Sequence, residues 1–176
     1  MGTADAFFDT YSVEYTFDDG AKLFLYGRTI DGCYGEHSSY AHGTKGSALI
    51  STGGHMPSRC RLFKSQDMSD ANIAWAFGRP EPNPYQTEWD DLIAAIREDK
   101  PYNETRRGTE ASLQAVMGRM AAHTGQYIMR ENLLTHNHEF APDVDKLAMN
   151  SPSPLPADAD GKYPVPQPGK TVDREY

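Results

Sequence analysis

Long apolar runs are missing from this chain, and none is long enough to cross a bilayer as a helix. The opening residues, MGTADAFFDT, lack the basic start and apolar centre of an export signal. Met1-Gly2-Thr3 stays open to reading as a cloning remnant on a fragment. Positive charge is also short: 17 Lys and Arg stand against 25 Asp and Glu, for a formal net charge of −8. A nucleic-acid partner needs a basic face, so that class of partner is not expected. Cysteine is scarce. Cys33 and Cys60 form no C-x-x-C pair, and two reduced, partly buried thiols are the expectation. No G-x-G-x-x-G follows a strand, so no dinucleotide-binding turn is visible. The chain reads as soluble, with cytoplasm and periplasm both open.

The 176 residues that are there suit one domain with a core of its own. YSVEYTF at 11–17 alternates: Tyr11, Val13, Tyr15 and Phe17 share one face. DDG at 18–20 reads as a tight turn, and AKLFLYGRT at 21–29 returns as a strand. Leu23, Phe24, Leu25 and Tyr26 make that strand apolar on both faces, as in a sheet covered on two sides. HSSYAHG and SALIS flank the glycine-bracketed turn GTKG at 43–46. RCRLFKS at 59–65 and NIAWAFG at 72–78 supply two more strands. The connections are short, so the sheet is mostly antiparallel.

Helices follow. Asn83, Pro84 and Gln86 form a start signal, with Asn83 as cap and Gln86 reaching back. Trp89, Leu92, Ile93 and Ile96 predict a buried stripe, and Pro101 predicts a stop near Asp99. A second helix is predicted from about Thr109 to His123, with Leu113, Val116, Met117 and Met120 as its stripe and Gly125 as its end. Gly118, Ala121 and Ala122 allow close packing. From Ser151 to Pro168 the chain holds six of its twelve prolines and reads as extended. Tyr163 and Val165 are its candidate anchors.

The fold class expected is therefore α+β: an open, mostly antiparallel β-sheet with two principal helices packed on one side and a Pro-rich extended C-terminal tail. The α+β domain spans 1–150, with the sheet at about 10–80 and helices at about 84–99 and 109–124; the tail spans 151–176.

Chemistry is harder to find. His136 and His138, with Glu139 beside them, have a strand-type metal spacing but no strand pattern, and a polar loop is the expectation. GTKG lacks the features of a phosphate loop. Arg106 and Arg107 precede a predicted helix and read as a solvated link between helices. The loop TIDGCYGEHSSY at 29–40 is polar, aromatic and glycine-rich, as pocket rims are. Arg28, Tyr34, Glu36 and His37 are the candidate substrate contacts. No catalytic residue, cofactor-binding residue or metal ligand is assigned. Lys100, in REDKP, reads as a helix-end cation that complements the helix dipole.

The stretches EWDDLIAAIREDKPYNETRRGTEASLQAVMGRMAAHTGQ, HEFAPDVDKL and SPSPLPADADGKYPVPQPG, with GTKGSALIS, resemble the later C-terminal part of Gfo/Idh/MocA-type oxidoreductases of the Planctomycetes and Bacteroidetes variety. The likeness runs from about Phe7 to Gly169. It implies a missing N-terminal Rossmann domain that binds NAD or NADP, a sugar-like or polyol substrate, and a homo-oligomer formed through the sheet. The family's Glu-Lys-Pro motif, which carries its catalytic lysine, closes that missing domain. EDKP has an extra residue and falls in the wrong domain, so Lys100 does not inherit the role. The resemblance makes this chain a substrate-binding and oligomerisation domain, inactive alone. A free-standing sheet domain that oligomerises or binds a saccharide is the alternative, and a metal-dependent hydrolase at the histidines near 136 is a third.

Overall fold

A computed structural model describes residues 8–53, 59–141 and 143–176. The expectation for Met1-Gly2-Thr3 lies outside them. The fold is α+β, with antiparallel sheets and a few helices. The chain divides into two compact units. One is built from the chain up to Gly32 and from Glu104 onward; the other spans Cys33–Asn103.

In the first unit, β1 (Thr10–Thr16) and β2 (Lys22–Arg28) form a two-stranded antiparallel sheet. The turn between them closes where Gly20 N–H donates to the Phe17 carbonyl at 2.9 Å. Val13 stands opposite Leu25 and Tyr15 opposite Leu23. This is the face predicted from the alternation, and helix α2 (Thr105–Thr124) packs on it. Val13 is the buried apolar side chain of the hairpin, and Met120 is buried on α2. Gly118 permits the close approach. A Cβ there would meet the Tyr15 Oη at 2.1 Å, and that hydroxyl donates to the Gln114 carbonyl at 2.9 Å. Helix α2 begins at Thr105, four residues earlier than the sequence suggests. Arg107 pairs with Glu104 across its first turn at 2.5 Å, so the predicted link is helix. Gly125 ends it in the left-handed conformation, as expected.

The second unit holds β3 (Ser38–Gly43), β4 (Gly46–Thr52), β5 (Arg61–Phe63) and β6 (Ile73–Ala76), in that spatial order and all antiparallel. The strands thus divide between two sheets. Gly46 has φ of 150°, and a Cβ there would lie 2.2 Å from the Phe63 carbonyl oxygen. No other residue fits. Gln66 locks the same turn by donating to the Gly43 and Gly46 carbonyls at 2.8 and 3.1 Å.

Helix α1 (Pro84–Arg97) starts as predicted: Asn83 accepts from the Tyr85 N–H at 3.0 Å and Pro84 occupies the first position. Gln86 does not reach back; it donates to Asp90 at 2.8 Å. The stripe is not buried. Trp89 is 62% exposed and Ile96 65%, because the described residues bring no apolar surface to cover them, and Ala95 alone in the helix is buried. A short helix α3 (Arg130–Leu134) follows α2. From Ser151 onward the chain forms neither helix nor strand.

Candidate functional site

The four expected substrate contacts do not all fall in one unit. Arg28 ends β2 in the first unit, opposite Thr10. Tyr34, Glu36 and His37 lie in the second, on the segment leading into β3. Here the structure brings two of them together around a third residue. Tyr40 Oη donates to Glu36 Oε1 at 2.7 Å. The hydroxyls of Tyr40, then Ser38, and more weakly Tyr34, hold the Glu36 carboxyl below the ordinary carboxylate range. The same bond pushes the Tyr40 phenol up. Glu36 is therefore a standing anion with hydroxyl donors around it, and the Tyr34 ring beside it is 78% exposed. His37 contributes its backbone: its carbonyl accepts from the Gly53 N–H at 2.9 Å. A carboxylate acceptor next to an open aromatic ring can take a polyol, whose hydroxyls donate and whose C–H face is apolar. Tyr40 was inside the loop singled out from sequence, and the Glu36-to-Tyr40 spacing was the only signal for it.

A second cluster had no sequence signal at all. The tail folds back on the C-terminal end of α2. Gly169 N–H donates to the Thr124 carbonyl at 2.9 Å. Glu175 has no exposed surface; its Oε1 accepts from Arg119 Nε at 2.9 Å, and its Oε2 lies 3.5 Å from His123 Nδ1. The Arg119 guanidinium sits over the Phe140 ring, 5.2 Å from its centre. Tyr176 packs edge-on against His123 and Phe140. Burial holds His123 below its ordinary value of 6.5, against the opposing pull of the Glu175 carboxylate. Tyr163 and Val165, the expected anchors, are 44% and 46% exposed, so the docking runs through Pro166, Glu175 and Tyr176 instead. Beside this cluster a cavity of about 270 Å³ opens between the hairpin and α2, walled by Tyr11, Val13, Tyr15, Leu25 and His123.

The histidines near 136 border an open hollow of about 710 Å³ together with Asn132, Glu139, Asp173 and Arg174. The His138 backbone N–H donates to His136 Nδ1 at 3.0 Å, and the two rings meet edge to face. Among the described residues no three metal-ligating side chains converge. Lys100 follows α1, 70% exposed, and pairs with Glu98 at 2.6 Å. Cys33 and Cys60 are free thiols.

Neither protein-family models, nor curated proteins, nor solved structures gave a match to this chain.

Proposed function

We propose that this chain is the substrate-binding and oligomerisation part of a larger NAD(P)-dependent oxidoreductase of the Gfo/Idh/MocA type, acting on a sugar or polyol and inactive by itself. The observation that carries the reading is strand β2. Leu23 and Leu25, opposite Tyr15 and Val13, are 46% and 41% exposed, and Phe24 and Tyr26 on the other face are 54% and 73% exposed. A two-stranded ribbon is at best marginal in water, and one with an aromatic outer face needs a further cover. The open stripe of α1 makes the same demand. The resemblance supplies both covers: an upstream Rossmann domain and a second copy of the sheet.

On this reading the nicotinamide and the catalytic groups come from the missing domain. When bound there, the nicotinamide would supply hydride acceptance, and the residues that would hold it, with the base that would take the substrate's hydroxyl proton, would belong to that upstream domain. This chain's part is to hold the polyol. Glu36 accepts from substrate hydroxyls, and the Tyr34 ring covers the sugar's C–H face. The test is to restore the upstream coding sequence and assay the product for nicotinamide binding and polyol oxidation. Activity in the long protein and none in the short one is the expected result; a long protein that binds no nicotinamide overturns the reading. A second reading, a free-standing saccharide-binding domain, draws on the same Glu36 cluster and predicts sugar binding by the short chain alone.

A further inference from the structure

Strands β5 and β6 run antiparallel, so the residues entering β5 lie beside those leaving β6. Phe77 N–H donates to the Cys60 carbonyl at 3.0 Å, and Arg61 stands opposite Ala76. Arg59 and Arg61, neighbours on the segment entering β5, thereby meet Arg79 at one end of the four-stranded sheet. Arg59 and Arg79 line two neighbouring hollows of about 580 and 390 Å³, and Arg61 lines the smaller. Spaces of this size suit a small molecule.

The three are held by contacts that leave their charge in place. Arg61 Nη1 donates to the Arg59 carbonyl at 2.7 Å, and the Arg59 backbone N–H donates to Glu81 Oε1 at 2.8 Å. Two carboxylates share the hollows, Glu81 in the larger and Asp70 in the smaller. Neither pairs with a guanidinium of the three, and among the described residues no other carboxylate does. The sheet end is thus locally positive in a chain whose net charge is −8. Guanidinium forks match phosphate and carboxylate oxygens two at a time. A local field of the opposite sign to the whole molecule draws an anion to one place.

We propose that this sheet end binds a small molecule through a phosphate or carboxylate group, with Arg59 and Arg79 as the clamp and Arg61 as a third donor. The site lies wholly within the second unit and does not rest on the oxidoreductase reading.

The experiment is calorimetric titration of the chain at low salt with inorganic phosphate and, separately, with citrate. The same titrations are run on Arg79→Ala, on the Arg59→Ala/Arg79→Ala pair, and on Arg107→Ala as a control from α2. The expected result is saturable binding of at least one anion, weakened about tenfold by Arg79→Ala, since a charge-assisted hydrogen bond is worth that much. Binding is lost in the double variant, unchanged in the control, and weakened by added sodium chloride. The better anion names the ligand's charged group. Circular dichroism checks each fold. If Arg79→Ala unfolds, Arg79→Lys, which keeps the charge and loses the fork, must weaken binding in its place. No saturable binding of either anion, or full affinity in a folded double variant, overturns the proposal.

Discussion

Glu175 lies 56 residues from Arg119 in sequence, yet its Oε1 accepts a hydrogen bond from the Arg119 Nε at 2.9 Å with no part of the glutamate exposed. Removing one partner of a buried pair leaves the other uncompensated, which costs about 3–5 kcal/mol. Arg119 keeps about a third of its side-chain surface in water, which lowers that figure. Glu175→Ala is expected to destabilise the first unit by about 2–3 kcal/mol in urea unfolding. Lys146→Ala, which breaks a pair exposed at both ends, is expected to change stability by less than about 0.5 kcal/mol. Equal effects of the two would refute the buried latch.

The latch is expected to weaken in mild acid. His123 is held below 6.5 when folded and returns to about that value when unfolded. The unfolded chain therefore binds the proton more tightly, and stability rises with pH. The contribution is full above about pH 6.5 and is lost as the pH falls through the lowered folded value. Urea midpoints from pH 8 down to pH 5 follow this, with His123→Phe as comparison. The variant's profile is expected to be flatter; a profile as steep as the parent's would remove His123 from the account.

Packing of α2 on the hairpin turns on a missing methyl group. Gly118→Ala places a Cβ 2.1 Å from the Tyr15 hydroxyl, so Tyr15 must move and give up its bond to the Gln114 carbonyl. Overpacking costs about 1–3 kcal/mol, and better helix propensity returns about 1 kcal/mol. A net loss of about 1 kcal/mol is expected. Tyr15→Phe removes the clashing oxygen, so the double variant is expected to recover part of the loss. Strict additivity of the two changes would mean that the helix does not rest on Tyr15.

Much of this fold was legible because its signals are local. The alternation of Tyr11, Val13 and Tyr15, the Gly43 and Gly46 bracket, the Asn83-Pro84 start and the Pro101 stop each act within a few residues. The errors came where distance decides. Helix α2 starts at Thr105, where Arg107 pairs with Glu104, so residues read as a solvated link are its first turn. The α1 stripe has a helical period, but a period does not supply a covering surface, and Trp89 remains open. The tail read as extended, with docking open and Tyr163 and Val165 as candidate anchors; it is held through Glu175, a carboxylate, which carries no docking signal in a solvent-rich stretch. The rim loop was visible as a loop. That Tyr40 would reach back to Glu36 depends on the path of the chain into β3.

Substrate contact at that rim has its own readout. In the long protein, Glu36→Gln and Tyr34→Ala are expected to raise KM for the polyol about tenfold each, with kcat changed less, because lost uniform binding appears in KM. Steady-state kinetics over a sugar series checks this. A fall in kcat at constant KM would place the two residues at the chemistry rather than at the grip.

The central claim is that this chain belongs to a larger nicotinamide enzyme, and the native DNA upstream of the codon for Thr3 tests it most directly. The account predicts an open frame that runs back through a Glu-Lys-Pro run to a glycine-rich strand–turn–helix. A stop codon followed by a ribosome-binding site just before Met1 would contradict it, and would leave a free-standing sheet domain whose ligand has to be sought at Glu36 and at the arginine cluster.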